Sequence, residues 1–198
     1  MAPRSIEPLP RPPATLDDRD LPIIEYGGVL FRIHRVDRDP AFWGKTGLNR
    51  FDAPAGEFGV LYAATDHHGA FIETFGDALN RTVTLSALIQ RGWARVEPTR
   101  ALRLVDLTGP GLAQIGADER LCSGEHGIAQ QWSLALWRHR AAVDGLYYRA
   151  RHDPSRVSVA VFDRAASAIG VARDAGLLDS RNEAVLAAVL DTYEFALL

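Results

Sequence analysis

The chain is poor in cysteine and carries no large excess of charge. Its 198 residues include one cysteine, Cys122, so no disulfide forms within the chain, and a reducing cytoplasm is the expected setting. Cys122 itself reads as a small, semi-buried thiol rather than a nucleophile. The formal net charge is −3, so no global basic field draws the protein to nucleic acid. No apolar run reaches the roughly 18 residues that a membrane span needs, and the N-terminus lacks the apolar stretch of a signal peptide. There is no Walker loop and no Gly-x-Ser-x-Gly elbow. What is present, 47% hydrophobic and 24% charged residues, is the composition of an ordinary globular domain long enough for a real core.

Two apparent motifs are discounted on physical grounds. Gly109-Pro110-Gly111-Leu112-Ala113-Gln114 follows a strand-like run and resembles the start of a dinucleotide fingerprint. Gln114 stands where the third glycine belongs, and Pro110 removes a backbone donor that phosphate would need. His67 and His68 suggest metal, but adjacent residues on a helix point about 100° apart and seldom share an ion. No metal site is expected.

Residues 1–20 are set apart by Pro3, Pro8, Pro10, Pro12 and Pro13. They read as an extended or mobile arm, with wrapping of a partner subunit as the alternative. Residues 21–198 read as one α+β domain, a mixed or antiparallel sheet flanked by helices. Strands are expected within 22–34, with Gly27-Gly28 as a turn or bulge, and at 59–64, 94–98, 101–107, 145–148 and 157–162. His152-Asp153-Pro154-Ser155 marks the turn joining the last two. The stretch 35–57 reads as a long loop with a short helix near 39–43. Thr65 or Asp66 should cap a helix running to about Ala78. Further helices are expected at 85–91, ended by Gly92, at 109–116 and at 127–140. Ser180-Arg181-Asn182-Glu183 matches a capping box for a last helix with Val185, Leu186, Val189, Leu190 and Tyr193 as its buried stripe. That helix offers a possible homodimer face or simply core.

Four residues then stand out by their order: Arg32, Arg50, Tyr62 and Glu73. Two fixed cations, an aromatic ring and a carboxylate suit a diphosphate joined to a ribose and a flat base. They point to a nicotinamide dinucleotide that is cut rather than used for hydride transfer. Each also has a plain explanation: a strand-edge charge for Arg32, a loop charge paired to Asp52 for Arg50, core packing for Tyr62 and a solvated helix face for Glu73.

The local wording tips the balance. From about Gly27 to Phe162 the chain resembles the RES domain, named for an arginine, a glutamate and a serine. The matching stretches are Leu30-Phe31-Arg32, Arg50-Phe51, Val60-Leu61-Tyr62, Ala70-Phe71-Ile72-Glu73 and Asp144-Gly145-Leu146-Tyr147-Tyr148. The resemblance implies a fold similar to ADP-ribosyltransferase toxins and an NAD-depleting toxin acting often by phosphorolysis, occasionally on protein. It implies NAD as substrate, inorganic phosphate as possible co-substrate, no metal, and an antitoxin partner with a helix-turn-helix segment. It also assigns Arg32 and Arg50 to ligand binding, Tyr62 to the aromatic of the site and Glu73 to the family glutamate. One departure stands against it. The family serine falls at Ala150 in Tyr148-Arg149-Ala150-Arg151, which removes a hydroxyl donor and leaves a non-catalytic binding protein as the alternative. Ser155 and Ser158 are the nearby hydroxyls, Ser158 expected to alternate within a strand.

Overall fold

Alternating and continuous apolar runs build most of this molecule into one sheet. A computed structural model describes residues 9–198. After a single 3-10 turn at Leu16–Asp18, the chain enters β1 (Ile23–Tyr26), β2 (Leu30–Arg35) and β3 (Val60–Ala64), then α1 (His67–Phe75). Next come β4 (Thr82–Val83), α2 (Leu85–Ile89), β5 (Arg91–Pro98) and β6 (Leu102–Asp106). Three helices follow: α3 (Gly111–Ile115), α4 (Arg120–Ser123) and α5 (His126–Arg138). The chain finishes with β7 (Gly145–Arg149), β8 (Val157–Phe162), β9 (Ile169–Gly176), α6 (Glu183–Thr192) and β10 (Ala196–Leu197).

Eight strands form one sheet in the order β1-β6-β7-β8-β3-β2-β5-β9, and β10 pairs with β4 apart from it. Neighbours in the large sheet are antiparallel except β6 and β7, which run parallel. Parity along β3 and β8 divides the core in two. Val60, Ala64, Ala160 and Phe162 face the helices, while Leu61, Ala63, Val159 and Val161 face the other way. The second set packs with Leu30 and Val96 from one side of the sheet and Leu102 and Leu104 from the other. Strands so far apart in order meet only if the sheet curls on itself. On the outer face, Trp132 and Leu136 of α5 pack with Phe51 and Phe162. Phe71 of α1 and Val189 of α6 pack with Trp93 beneath them.

Several expectations are corrected. The segment at 39–43 forms turns, not a helix. Gly92 does not stop a helix but sits inside β5, paired with His34 and Gly176, where a Cβ would crowd the Ala175 carbonyl. Helix α1 ends at Phe75, earlier than Ala78. The capping box at 180–183 does not form as read. Asp179 caps a 3-10 turn by accepting from Arg181 N, and the Asn182 amide instead donates to the Ala175 and Gly176 carbonyls. Gly27-Gly28 does divide 22–34 into two strands, but β1 and β2 do not pair, so this break carries the chain between distant positions in the sheet. Strand β9 was not anticipated.

The described part of the proline-rich segment is docked on its own domain rather than free of it. Leu16 is buried, Trp132 Nε1 donates to the Pro10 carbonyl at 2.8 Å, and Arg140 N donates to Asp17 Oδ1 at 2.6 Å. Residues 1–8 of the expected arm lie outside the described residues. Among the described residues, no helix is long and apolar enough to cross a membrane.

Candidate active site

A cleft of about 370 Å³ opens on the helix side of the sheet, and Arg32, Arg50, Tyr62 and Glu73 all line it. Four elements far apart in sequence supply them. β2 and β3 pair only at Phe31 with Ala64, and Arg32 follows immediately. Its Nη1 donates to the Tyr62 carbonyl at 3.3 Å, where the ladder lapses. Its Nε is buried without a partner. No carboxylate among the described residues forms an ion pair with Arg32, and burial alone pushes its guanidinium down to about 10. That depression is the mark of a cation kept in a poor dielectric without a counter-ion.

Arg50 is 9% exposed and reaches across the cleft wall, its Nη1 donating to the Gly124 carbonyl at 2.5 Å. Burial lowers its pKa first, and the neighbouring Arg151 lowers it further. It is not the partner of Asp52. That carboxylate, 0% exposed, accepts from Thr46 Oγ1 (3.0 Å), Asn49 N (3.1 Å), Asn49 Nδ2 (3.1 Å) and the Tyr62 hydroxyl (3.0 Å). The Tyr62 hydroxyl in turn accepts from Phe51 N at 3.0 Å. So the phenol is a strut that ties the 44–57 loop to β3, and its ring is what the cleft sees. Burial and the nearby Asp52 hold it far above the usual phenol range. Asp52 is the residue that sequence reasoning placed with the wrong partner.

Glu73 lies on α1, whose start is fixed by Asp66: its Oδ1 accepts from Gly69 N at 2.7 Å. The buried stripe of this helix, Ala70, Phe71, Ile72 and Phe75, seats it on the sheet and leaves Glu73 at the stripe's edge. Glu73 is open to water at the cleft mouth yet walled by protein, as a carboxylate in a concave site is. Its Oε1 accepts from Arg151 N at 2.9 Å. Burial raises its pKa, against the opposing pull of that N–H and of His152, Arg50 and Arg151. Asp77 closes the rim, 3.3 Å from His152 Nε2 and 3.7 Å from Arg151 Nη1.

Cys122 also lines the cleft, but burial pushes its thiol up to about 12, which leaves no thiolate at neutral pH. His67 lies off the cleft, between the rings of Phe31 (4.1 Å) and Trp93 (4.7 Å), and His68 meets Thr192 at 3.2 Å. Among the described residues there is no cluster of three or more His, Cys, Asp or Glu that suits a metal ion. Ala150 is 1% exposed within the apolar cluster beneath α1 and takes no part in the cleft lining. The Asp144-Gly145 pair serves the fold. Asp144 accepts both Arg100 Nη1 (2.6 Å) and Nη2 (2.9 Å), and a Cβ at Gly145 would run into the Ala160 carbonyl.

The cleft therefore offers two desolvated cations, a ring clamped by its own hydroxyl and a carboxylate of raised pKa. That set grips an anion and stabilises positive charge nearby. Comparison with known proteins agrees with the fold. The chain is 31% identical over 112 residues to the probable toxin y4kH of Sinorhizobium fredii (strain NBRC 101917 / NGR234), covering 56% of this chain and 86% of that protein. Its fold is similar to a chain in the crystal structure of the M. tuberculosis MbcT–MbcA toxin–antitoxin complex, with a TM-score of 0.62, 17% identity, and coverage of 83% of this chain and 92% of the other. Residues 29–181 match the RES domain, and the chain belongs to that family.

Proposed function

We propose that this protein is a toxin of a toxin–antitoxin pair that cleaves the nicotinamide–ribose bond of NAD, with inorganic phosphate as the acceptor. Its partner in this reading is an antitoxin carrying a helix-turn-helix segment. The names of the two relatives support the toxin part. The observation that carries the chemistry is the half-buried guanidinium of Arg32, its Nε buried and unbonded and no carboxylate among the described residues paired with it, with Arg50 beside Glu73 in the same cleft. A cation left unpaired in a low dielectric is stabilised by an arriving anion, and a diphosphate matches forked guanidinium donors.

In this mechanism Arg32 and Arg50 hold the diphosphate, and the Tyr62 ring packs against the ribose or the nicotinamide. The bond from the anomeric carbon to the pyridinium nitrogen breaks, and its electron pair neutralises the departing nicotinamide. No proton is needed by the leaving group. Positive charge accumulates on the ribose, as in glycoside cleavage, and the Glu73 carboxylate stabilises it. A phosphate oxygen then bonds the anomeric carbon, giving nicotinamide and ADP-ribose 1″-phosphate. A protein side chain taking the place of phosphate would make the same site an ADP-ribosyltransferase. Ala150 favours a second reading, a nucleotide- or antitoxin-binding protein without turnover, because one hydroxyl donor to the developing charge is missing and such a loss costs about 10²–10³ in rate. Nicotinamide release from NAD by the purified protein, with and without phosphate, separates the readings. Phosphate-dependent release is the expected result, and absence of release under both conditions supports the second reading.

A further inference from the structure

Strand β8 reads Val157-Ser158-Val159-Ala160-Val161-Phe162, and all six residues are buried. Ser158 is its one hydroxyl. In such a strand a hydroxyl is costly unless something bonds it. Ser158 Oγ is nevertheless buried without a hydrogen-bond partner. The phenol of Tyr148, its cross-strand neighbour on β7, lies close enough to interact with it, though without the geometry of a full hydrogen bond. Both residues line the cleft, as does Arg32, whose Nε is buried and unpartnered in the same way.

The register relates this hydroxyl to the missing one. Ser158 is paired with Ala64 on β3 and with Tyr148 on β7, and direct antiparallel partners share a sheet face. Ala150 lies two residues beyond Tyr148 on that face, and its N–H bonds the Arg156 carbonyl. Ala150 and Ser158 are therefore diagonal neighbours. The first is sealed in the apolar cluster beneath α1, and the second lies in the cleft wall, 1% exposed.

We propose that Ser158 is the ligand-binding hydroxyl of this cleft and supplies, from the diagonal position, the hydrogen bond that Ala150 cannot make. Its partner is an oxygen of the sugar–phosphate part of the nucleotide. The inference rests on the cleft being an NAD site. It explains why an unbonded hydroxyl is kept in an otherwise apolar strand, and why Ala150 does not leave the site without one.

The test compares the full-length wild type with Ser158→Ala for apo thermal stability, NAD affinity by calorimetry and nicotinamide release. Removing an unpartnered buried hydroxyl leaves the apo fold as stable or slightly more stable. NAD affinity falls about tenfold, the scale of one lost hydrogen bond, and release falls at least as far. Unchanged affinity and release overturn the proposal. So does a variant that loses apo stability or fails to fold, since the hydroxyl then serves the structure. Glu73→Gln and Arg32→Met run alongside. If they lose turnover and affinity while Ser158→Ala matches wild type, this inference alone fails. A wild type that neither binds nor cleaves NAD takes down both the inference and the NAD reading.

Discussion

Asp52 and the half-buried Arg32 meet one tyrosine, at its hydroxyl and at its carbonyl, and their surroundings differ. Asp52 accepts hydrogen bonds from Thr46, from Asn49 through backbone and side chain, and from the Tyr62 hydroxyl. Arg32 makes one long bond to the Tyr62 carbonyl, and its Nε makes none. Asp52 belongs to a finished network, in which every partner needs every other. Arg32 belongs to an unfinished one, and so does Ser158. Buried polar groups are almost always bonded in folded proteins, so the exceptions need a reason. Here all three cleft-lining facts, an unbonded guanidinium nitrogen, an unbonded hydroxyl and a carboxylate of raised pKa, share one concave site. In the proposed reading, the finished network builds the wall, and the unfinished one receives the ligand.

The largest expected effect breaks the finished side. Asp52→Ala strands the enclosed Tyr62 hydroxyl and removes the bonds from the exposed Thr46 and Asn49, whose donors turn to water. It destabilises the fold by about 2–4 kcal/mol in urea unfolding, since a buried unsatisfied donor costs about 1–3 kcal/mol and a lost bond about 1 kcal/mol. A loss below about 1 kcal/mol would contradict the network's role. Glu73→Gln acts on the other side. Turnover is expected to fall about a hundredfold or more, with stability unchanged or improved.

The pH dependence follows from the same residue. A carboxyl whose folded pKa is raised binds more protons folded than unfolded, so its contribution favours the fold at low pH. That contribution is lost as pH rises from the ordinary Glu range through the folded pKa. In the proposed mechanism activity moves the opposite way, because the ionised form stabilises the developing positive charge. The acid limb of the rate profile should lie above the ordinary Glu range and vanish in Glu73→Gln.

Arg32→Met sharpens the contrast further. The apo protein should keep or gain stability, because a half-buried cation without an ion-pair partner among the described residues is replaced by an apolar chain of similar length, while NAD binding weakens by about 1–3 kcal/mol. Matched denaturation and calorimetry check both signs, and equal affinity would remove Arg32 from the site. The smallest effect is at the helix start. Asp66→Ala removes the cap of α1 and should cost about 1 kcal/mol, read by thermal unfolding.

Sequence reasoning reached the site more surely than some of its supports. Glu73 at the edge of an apolar stripe and Asp66 as a cap are local patterns, and both hold in the structure. The meeting of Arg32, Arg50, Tyr62 and Glu73 in one cleft is not local, and it was expected from their order and the family resemblance rather than from spacing. What escaped notice depends on partners distant in the chain. β9 is an edge strand carrying Arg173 and Asp174, held by β5 alone, and its alternation is interrupted by those charges. The stretch 39–43 has a helical start in Asp39-Pro40, yet Gly44 is drawn into a bridge with Val60, which keeps the chain open. Asp52 entered only as a partner in the plain reading of Arg50, because sequence shows the nearest opposite charge and not the tyrosine ten residues on. Ser158 left a readable trace, the lone hydroxyl of an apolar strand, whose meaning appears only when β7 and β3 are laid on either side.

The central claim is that the cleft cleaves NAD through Glu73. Its most direct test is nicotinamide release by the purified wild type in phosphate, beside Glu73→Gln. The account predicts release that requires phosphate and is nearly abolished in the variant. Equal release from both proteins, or none from the wild type, would contradict it.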